Sequence, residues 1–111
     1  MRDYHFRTKV SFRFLALTEL QSKRLGKVVE SANINKHYEN LCFVGSVILT
    51  EQNLPKIISF YDREKIDIDT CDIFVSICSE SDSEIWEVPF LVNEMLKKIN
   101  CKLTYSFTCV A

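Results

Sequence analysis

From Lys9 to Leu17 the residues Val10, Phe12, Phe14 and Ala16 alternate with Lys9, Ser11, Arg13 and Leu15. Successive side chains of an extended strand point to opposite faces, so a period of two describes a strand with one buried face. Lys102 to Val110 repeats the pattern, with Leu103, Tyr105, Phe107 and Cys109 against Lys102, Thr104, Ser106 and Thr108. Asp72 to Ser79 is a third such run, carrying Ile73, Val75 and Ile77 on one side and Phe74, Ser76 and Cys78 on the other. A sheet built from strands of this kind needs cover on one face only.

The cover is legible between the strands. Thr18-Glu19-Leu20-Gln21 has the form of a capping box, in which the Thr18 hydroxyl accepts from the Gln21 amide and the Gln21 side chain reaches back. The helix that starts there is expected to bury Leu20, Leu25, Val28, Val29 and Ala32. Ser31 to Asn40 reads as a connection, and Leu41 to Leu49 as a nearly continuous apolar strand suited to the middle of a sheet. Thr50 or Asn53 caps a second helix, with Leu54, Ile57, Ile58 and Tyr61 at helical spacing and Pro55 in its first turn. Asp62 to Thr70 reads as a loop or a short extended edge, and Ile85 to Val88 as either a hairpin return or the lead-in to a third helix. That helix has Pro89 in its first turn, Val92, Met95, Leu96 and Ile99 on its buried face, and Asn100 at its end.

With 111 residues, the chain suits one domain, 1–111, with one modest core. The fold class expected is α+β: a mixed or antiparallel sheet of four to five strands with about three helices on one face. A ferredoxin-like split β-α-β arrangement is the first topology considered.

Composition removes several function classes. Gly26 and Gly45 are the only glycines, both inside apparent secondary structure, so neither a dinucleotide fingerprint nor a phosphate-cradling loop can be written. The five cysteines, Cys42, Cys71, Cys78, Cys101 and Cys109, are odd in number and show no C-x-x-C pair, which argues for reduced thiols and against structural zinc. Cys42, Cys78 and Cys109 fall in strands and are expected to be small buried hydrophobes. The two histidines, His5 and His37, stand far in sequence from every cysteine, and no local signature marks a catalytic pair. No catalytic residue, no metal site and no cofactor is expected. No apolar run approaches membrane-spanning length, and the opening Met1 to Arg7 lacks a secretory signal, so the expected location is the cytoplasm.

Charge is where the chain is least ordinary. Met1 to Tyr38 holds eight basic and three acidic residues, net +5, whereas Asp62 to Glu87 holds nine acidic and two basic, net −7. Such asymmetry suits a charged partner and steered association. Trp86, the single tryptophan, stands between Glu84 and Glu87 after an acidic turn, an arrangement that supplies an aromatic anchor with an anionic rim. The candidate partner-binding residues are therefore Asp67, Asp69, Glu80, Asp82, Glu84, Trp86 and Glu87, and the partner expected is a basic protein. Phe12 and Phe14, or Tyr105 and Phe107, are aromatic enough for a nucleic-acid platform, but core packing is the expectation for them, and the glycine-containing motifs of RNA-binding sheets are missing.

Small size, an acidic run from Asp62 to Glu87 and the absence of an active-site signature resemble the immunity proteins that bacteria pair with nuclease toxins, including contact-dependent growth inhibition systems. The resemblance implies a cytoplasmic toxin inhibitor that docks on a basic toxin domain and blocks its active site.

Overall fold

The computed structural model describes residues 7–37, 41–80 and 85–109. In chain order these form β1 (Arg7–Leu17), α1 (Glu19–Val28), β2 (Asn33–His37), β3 (Cys42–Ile48), α2 (Asn53–Arg63), β4 (Cys71–Ser79), α3 (Phe90–Lys98) and β5 (Lys102–Cys109). The five strands make one sheet in the order β2-β3-β1-β4-β5. β1 is antiparallel to both β3 and β4, β2 is antiparallel to β3, and β5 is parallel to β4. β1 to β4 with α1 and α2 therefore follow the split β-α-β arrangement, and α3 with β5 extends the sheet by one parallel strand. The protein is α+β, with a mixed sheet and, among the described residues, three α-helices. No helix among the described residues is long and apolar enough to cross a membrane.

The helices share one core on one face of the sheet: Leu25 of α1, Ile57 and Phe60 of α2, and Val92 and Met95 of α3 close over Phe12, Phe14, Val47 and Ile73. Phe12, Phe14 and Phe60 stack edge to face in a chain, with centroids 5.0 and 5.1 Å apart. Gly45 is where β3 lets α1 down onto the sheet, for a Cβ there would stand 2.5 Å from Cδ2 of Leu25.

The capping box forms as expected: the Gln21 amide donates to Thr18 Oγ1 at 3.1 Å, and the Thr18 amide donates to Gln21 Oε1 at 3.0 Å. Thr50 closes the turn that precedes α2, its Oγ1 accepting from the Asn53 amide at 3.0 Å, but the cap position of the helix itself is Gln52, which makes no side-chain capping bond.

Several expectations are corrected. The alternation in β1 breaks at a bulge, where Phe14 faces Gly45 but Leu17 faces Phe43. The extra residue turns Leu17 into the core and leaves Ala16 outside. Leu20 is 57% exposed and Ser22 is buried in its place, and α1 ends at Val28, before Ala32. The connection from Ser31 to Asn40 contains the edge strand β2, whose polar Asn-Ile-Asn-Lys-His sequence hides it because an edge needs little burial. β3 is interior but not central, since β1 holds that place. Ile85 to Val88 forms neither strand nor helix and leads into α3, with Pro89 just before its first turn. Asp62 to Thr70 begins inside α2 and ends in a short 3-10 turn, Ile68–Thr70, capped by Asp67. Phe60, outside the expected stripe of α2, lies at its buried centre. Cys71 is buried, while Cys42 and Cys78 are half-buried and Cys109 is exposed.

With two glycines in the chain, left-handed positions fall to other residues: Leu41 and Lys65 have φ of 54° and 52°. Lys65 terminates α2, its amide donating to the Asp62 carbonyl at 3.3 Å while Ile66 donates to Tyr61 at 3.1 Å. This is the paired closure in which glycine is ordinarily favoured. Lys65→Gly should therefore stabilise the fold by about 1 kcal/mol, because the left-handed conformation costs a side chain about that much. A urea midpoint that does not rise would show that the Lys65 side chain offsets its own strain.

Candidate interaction surfaces

β5 pairs with β4 on one side only, so its other edge is free among the described residues. Leu103, Tyr105 and Phe107 point to the helix side, in register with Ile73, Val75 and Ile77. Only Leu103 joins the core, whereas Tyr105 is 50% and Phe107 45% exposed. Helix length explains the difference. The nine residues of α3 span about 14 Å at 1.5 Å each, against about 27 Å for the eight residues of β5. Trp86, half-buried in the irregular lead-in to α3, meets Tyr105 edge to face at 5.9 Å and 83°. Ile85 and Val88 on either side of it are exposed.

The acidic candidates divide between the two ends of β4. Asp67 and Asp69 lie before it at the 3-10 turn, where the Asp67 carboxylate accepts from the Asp69 amide at 2.9 Å. Glu80 follows its far end, about 30 Å away over nine strand residues. Glu87 is exposed beside Trp86. Asp82 and Glu84 lie outside the described residues. The structure thus brings Trp86 next to Tyr105 and Glu87, and separates Asp67 and Asp69 from Glu80. Alternation alone assigns Tyr105 and Phe107 to the core; the shortness of the helical stretch between Pro89 and Asn100 is the signal in the sequence that β5 outruns its cover.

The opposite face of the sheet carries no helix among the described residues. Register places Asn33, Ser46, Arg13, Asp72 and Lys102 in one row across all five strands. Asp72 is buried and accepts from Arg13 Nε at 2.8 Å, Arg13 Nη2 at 2.5 Å and Thr104 Oγ1 at 2.8 Å. Burial by itself pushes the Asp72 carboxyl up, but the hydrogen bonds from Arg13 and Thr104 and the charges of Arg13 and Lys102 outweigh it and hold the group below its ordinary value. The guanidinium of Arg13 lies 4.1 Å above the centroid of the Phe74 ring. A shallow concavity of about 330 Å³ opens here, lined by residues of four strands that include Lys9, Asn35, Ser46 and Ser76.

A further concavity of about 460 Å³ between α1 and α2 has Arg24, Lys27 and Arg63 at its walls. Arg24 is paired to Glu64 at 3.0 Å. Lys27 and Arg63 occupy the last turns of their helices, where cations offset the helix dipole. Of the thiols, Cys71 is the most shielded: burial pushes it up to about 12, and the neighbouring Cys101 adds to the rise. No group of three or more metal-ligating side chains occurs among the described residues. No protein-family model, curated protein or solved structure matches the chain.

Proposed function

We propose that the protein is a protein-binding domain of the toxin-neutralising immunity type, and that it engages a basic protein through the outer edge formed by β5 and the segment holding Trp86. One observation carries the reading: on an edge strand whose outer side is unpaired among the described residues, Tyr105 and Phe107 leave about half their surface in water beside a half-buried tryptophan. Exposed aromatic area of this kind supplies the desolvated anchors of protein interfaces. Glu87 next to Trp86, and Glu80 beyond Ser79, which pairs with Cys109, give that edge an acidic rim. An anionic rim around an aromatic centre suits a cationic partner and speeds its encounter. Asp67 and Asp69, at the other end of β4, contribute to the long-range field and not to this contact.

The test immobilises the protein, presents the lysate and secreted fraction of its source cells, and measures the affinity of any captured protein for wild type, Trp86→Ala, Tyr105→Ala and a Glu80→Lys, Glu87→Lys double variant. Each aromatic truncation should cost about 2 kcal/mol, near thirtyfold in Kd. The charge reversal should act mainly on the association rate and its salt dependence. Co-expression with the captured protein should protect cells that the captured protein alone kills. Undiminished affinity in all three variants would remove the β5 edge from the reading, and binding without protection would remove the immunity role.

A further inference from the structure

The bare face of the sheet has a charge balance opposite to that of the acidic segment. Its described strands present Arg7, Lys9, Arg13 and Lys102, and a single acid, Asp72. Asp72 is buried and already held by Arg13 and Thr104, so it opposes an incoming anion little. Around the cations stand hydrogen-bonding groups of neutral side chains: Asn33, Asn35, Ser46 and Ser76 line the concavity with Lys9. Arg13 and Phe74 line it too, the guanidinium carbon 4.1 Å from the ring centroid and so within cation–π range, and about a quarter of the Arg13 side chain remains exposed. Phosphate-seeking cations, amides and hydroxyls able to meet base edges, and a planar cation on which a base can stack form the chemical set that single-stranded nucleic acids require.

We propose that this face binds single-stranded nucleic acid, with Lys9 and Lys102 contacting phosphates on either side of Arg13 and the planar Arg13 guanidinium, beside Phe74, receiving a base. Shape favours this occupant. Five strands about 4.8 Å apart give a surface about 19 Å across, matching a few extended nucleotides. The concavity is only partly enclosed, so an extended chain that runs on across the sheet reaches Lys102 as well, which a small ligand confined to the concavity does not. A regular duplex offers no unstacked base to the Arg13–Phe74 pair, and an acidic peptide offers charge but no base plane. The surface lies on the side of the sheet away from Tyr105 and Phe107, so it stands or falls independently of the protein-binding edge.

Fluorescence anisotropy with labelled single-stranded RNA and DNA of about a dozen nucleotides, the matching duplex and a glutamate-rich peptide tests the proposal. Single strands should bind with Kd near the micromolar range at about 50 mM salt. A Lys9→Glu, Lys102→Glu variant should bind about tenfold or more weakly, with its salt slope reduced by about 1.4 for two lost phosphate contacts. A Lys56→Glu, Lys27→Glu variant, which makes the same charge change on the helix side, should bind as wild type does, and circular dichroism with a urea midpoint checks that both variants fold. Equal weakening by both variants, tighter binding of the duplex or the peptide, or no anisotropy change with any single strand would overturn it.

Discussion

Replacing Phe60 by alanine should cost about 3 to 5 kcal/mol in unfolding free energy, the range for truncating a fully buried phenylalanine. Phe60 has no exposed surface, and its ring stands edge-on to Phe14 at 5.1 Å, which in turn meets Phe12 at 5.0 Å. The three rings link α2 to the central strand, so the truncation removes transfer free energy, leaves a cavity and breaks an aromatic contact worth about 1 kcal/mol in its own right. A domain of this size has about 5 to 15 kcal/mol in all, so the variant should unfold at a much lower urea concentration. Phe90→Ala is the matched control. Phe90 is an exposed ring at the start of α3, and its loss should change stability by about 0.5 kcal/mol or less. A loss below about 1 kcal/mol for Phe60 would mean that α2 does not pack on the sheet as described.

Phe60 also shows where the sequence could and could not be read. The stripe Leu54, Ile57, Ile58 and Tyr61 correctly locates α2 by its period, yet the most buried aromatic on that helix lies just outside it. Periodicity identifies a face, and the tilt of the helix on the sheet decides which edge of the face goes deepest. The capping box at Thr18 was readable because all its partners lie within three residues. The split β-α-β order was within reach because alternation reports one-sided cover, which the helix-covered sheet has. β2 was not readable: five residues with one apolar side chain carry no burial signal, and only pairing with β3 makes them a strand. The bulge after Phe14 and the half-exposed Tyr105 and Phe107 depend on how two elements of unequal length meet, which no local window contains. The candidate surface was legible in part for the same reason. Trp86 with Glu87 is a local feature, whereas the separation of Asp67 and Asp69 from Glu80 follows from the nine-residue length of β4 between them. The basic open face was invisible until register put Lys9, Arg13 and Lys102 on one side.

Asp72→Ala should be the most damaging change on that face, at about 3 kcal/mol. Removing one member of a buried ion pair costs about 3 to 5 kcal/mol because the partner charge is stranded, and the lower end applies since Arg13 keeps 26% of its side chain in water. Asp72→Asn keeps the shape and an acceptor for Thr104 but surrenders the charge, and its effect should depend on pH. The folded protein holds the Asp72 carboxyl below its ordinary value, so folding favours the ionised form. The resulting stability is fully present above the unfolded carboxylate value of about 3.9, and is lost as pH falls through the lower value of the folded state. Urea unfolding of wild type and Asp72→Asn should therefore differ most near neutral pH and converge in strong acid, where the wild-type carboxyl is itself neutral. A difference that stays constant from neutral pH down to about pH 2 would mean that the Asp72 charge adds nothing, and that the Arg13 contact contributes through packing on Phe74 alone.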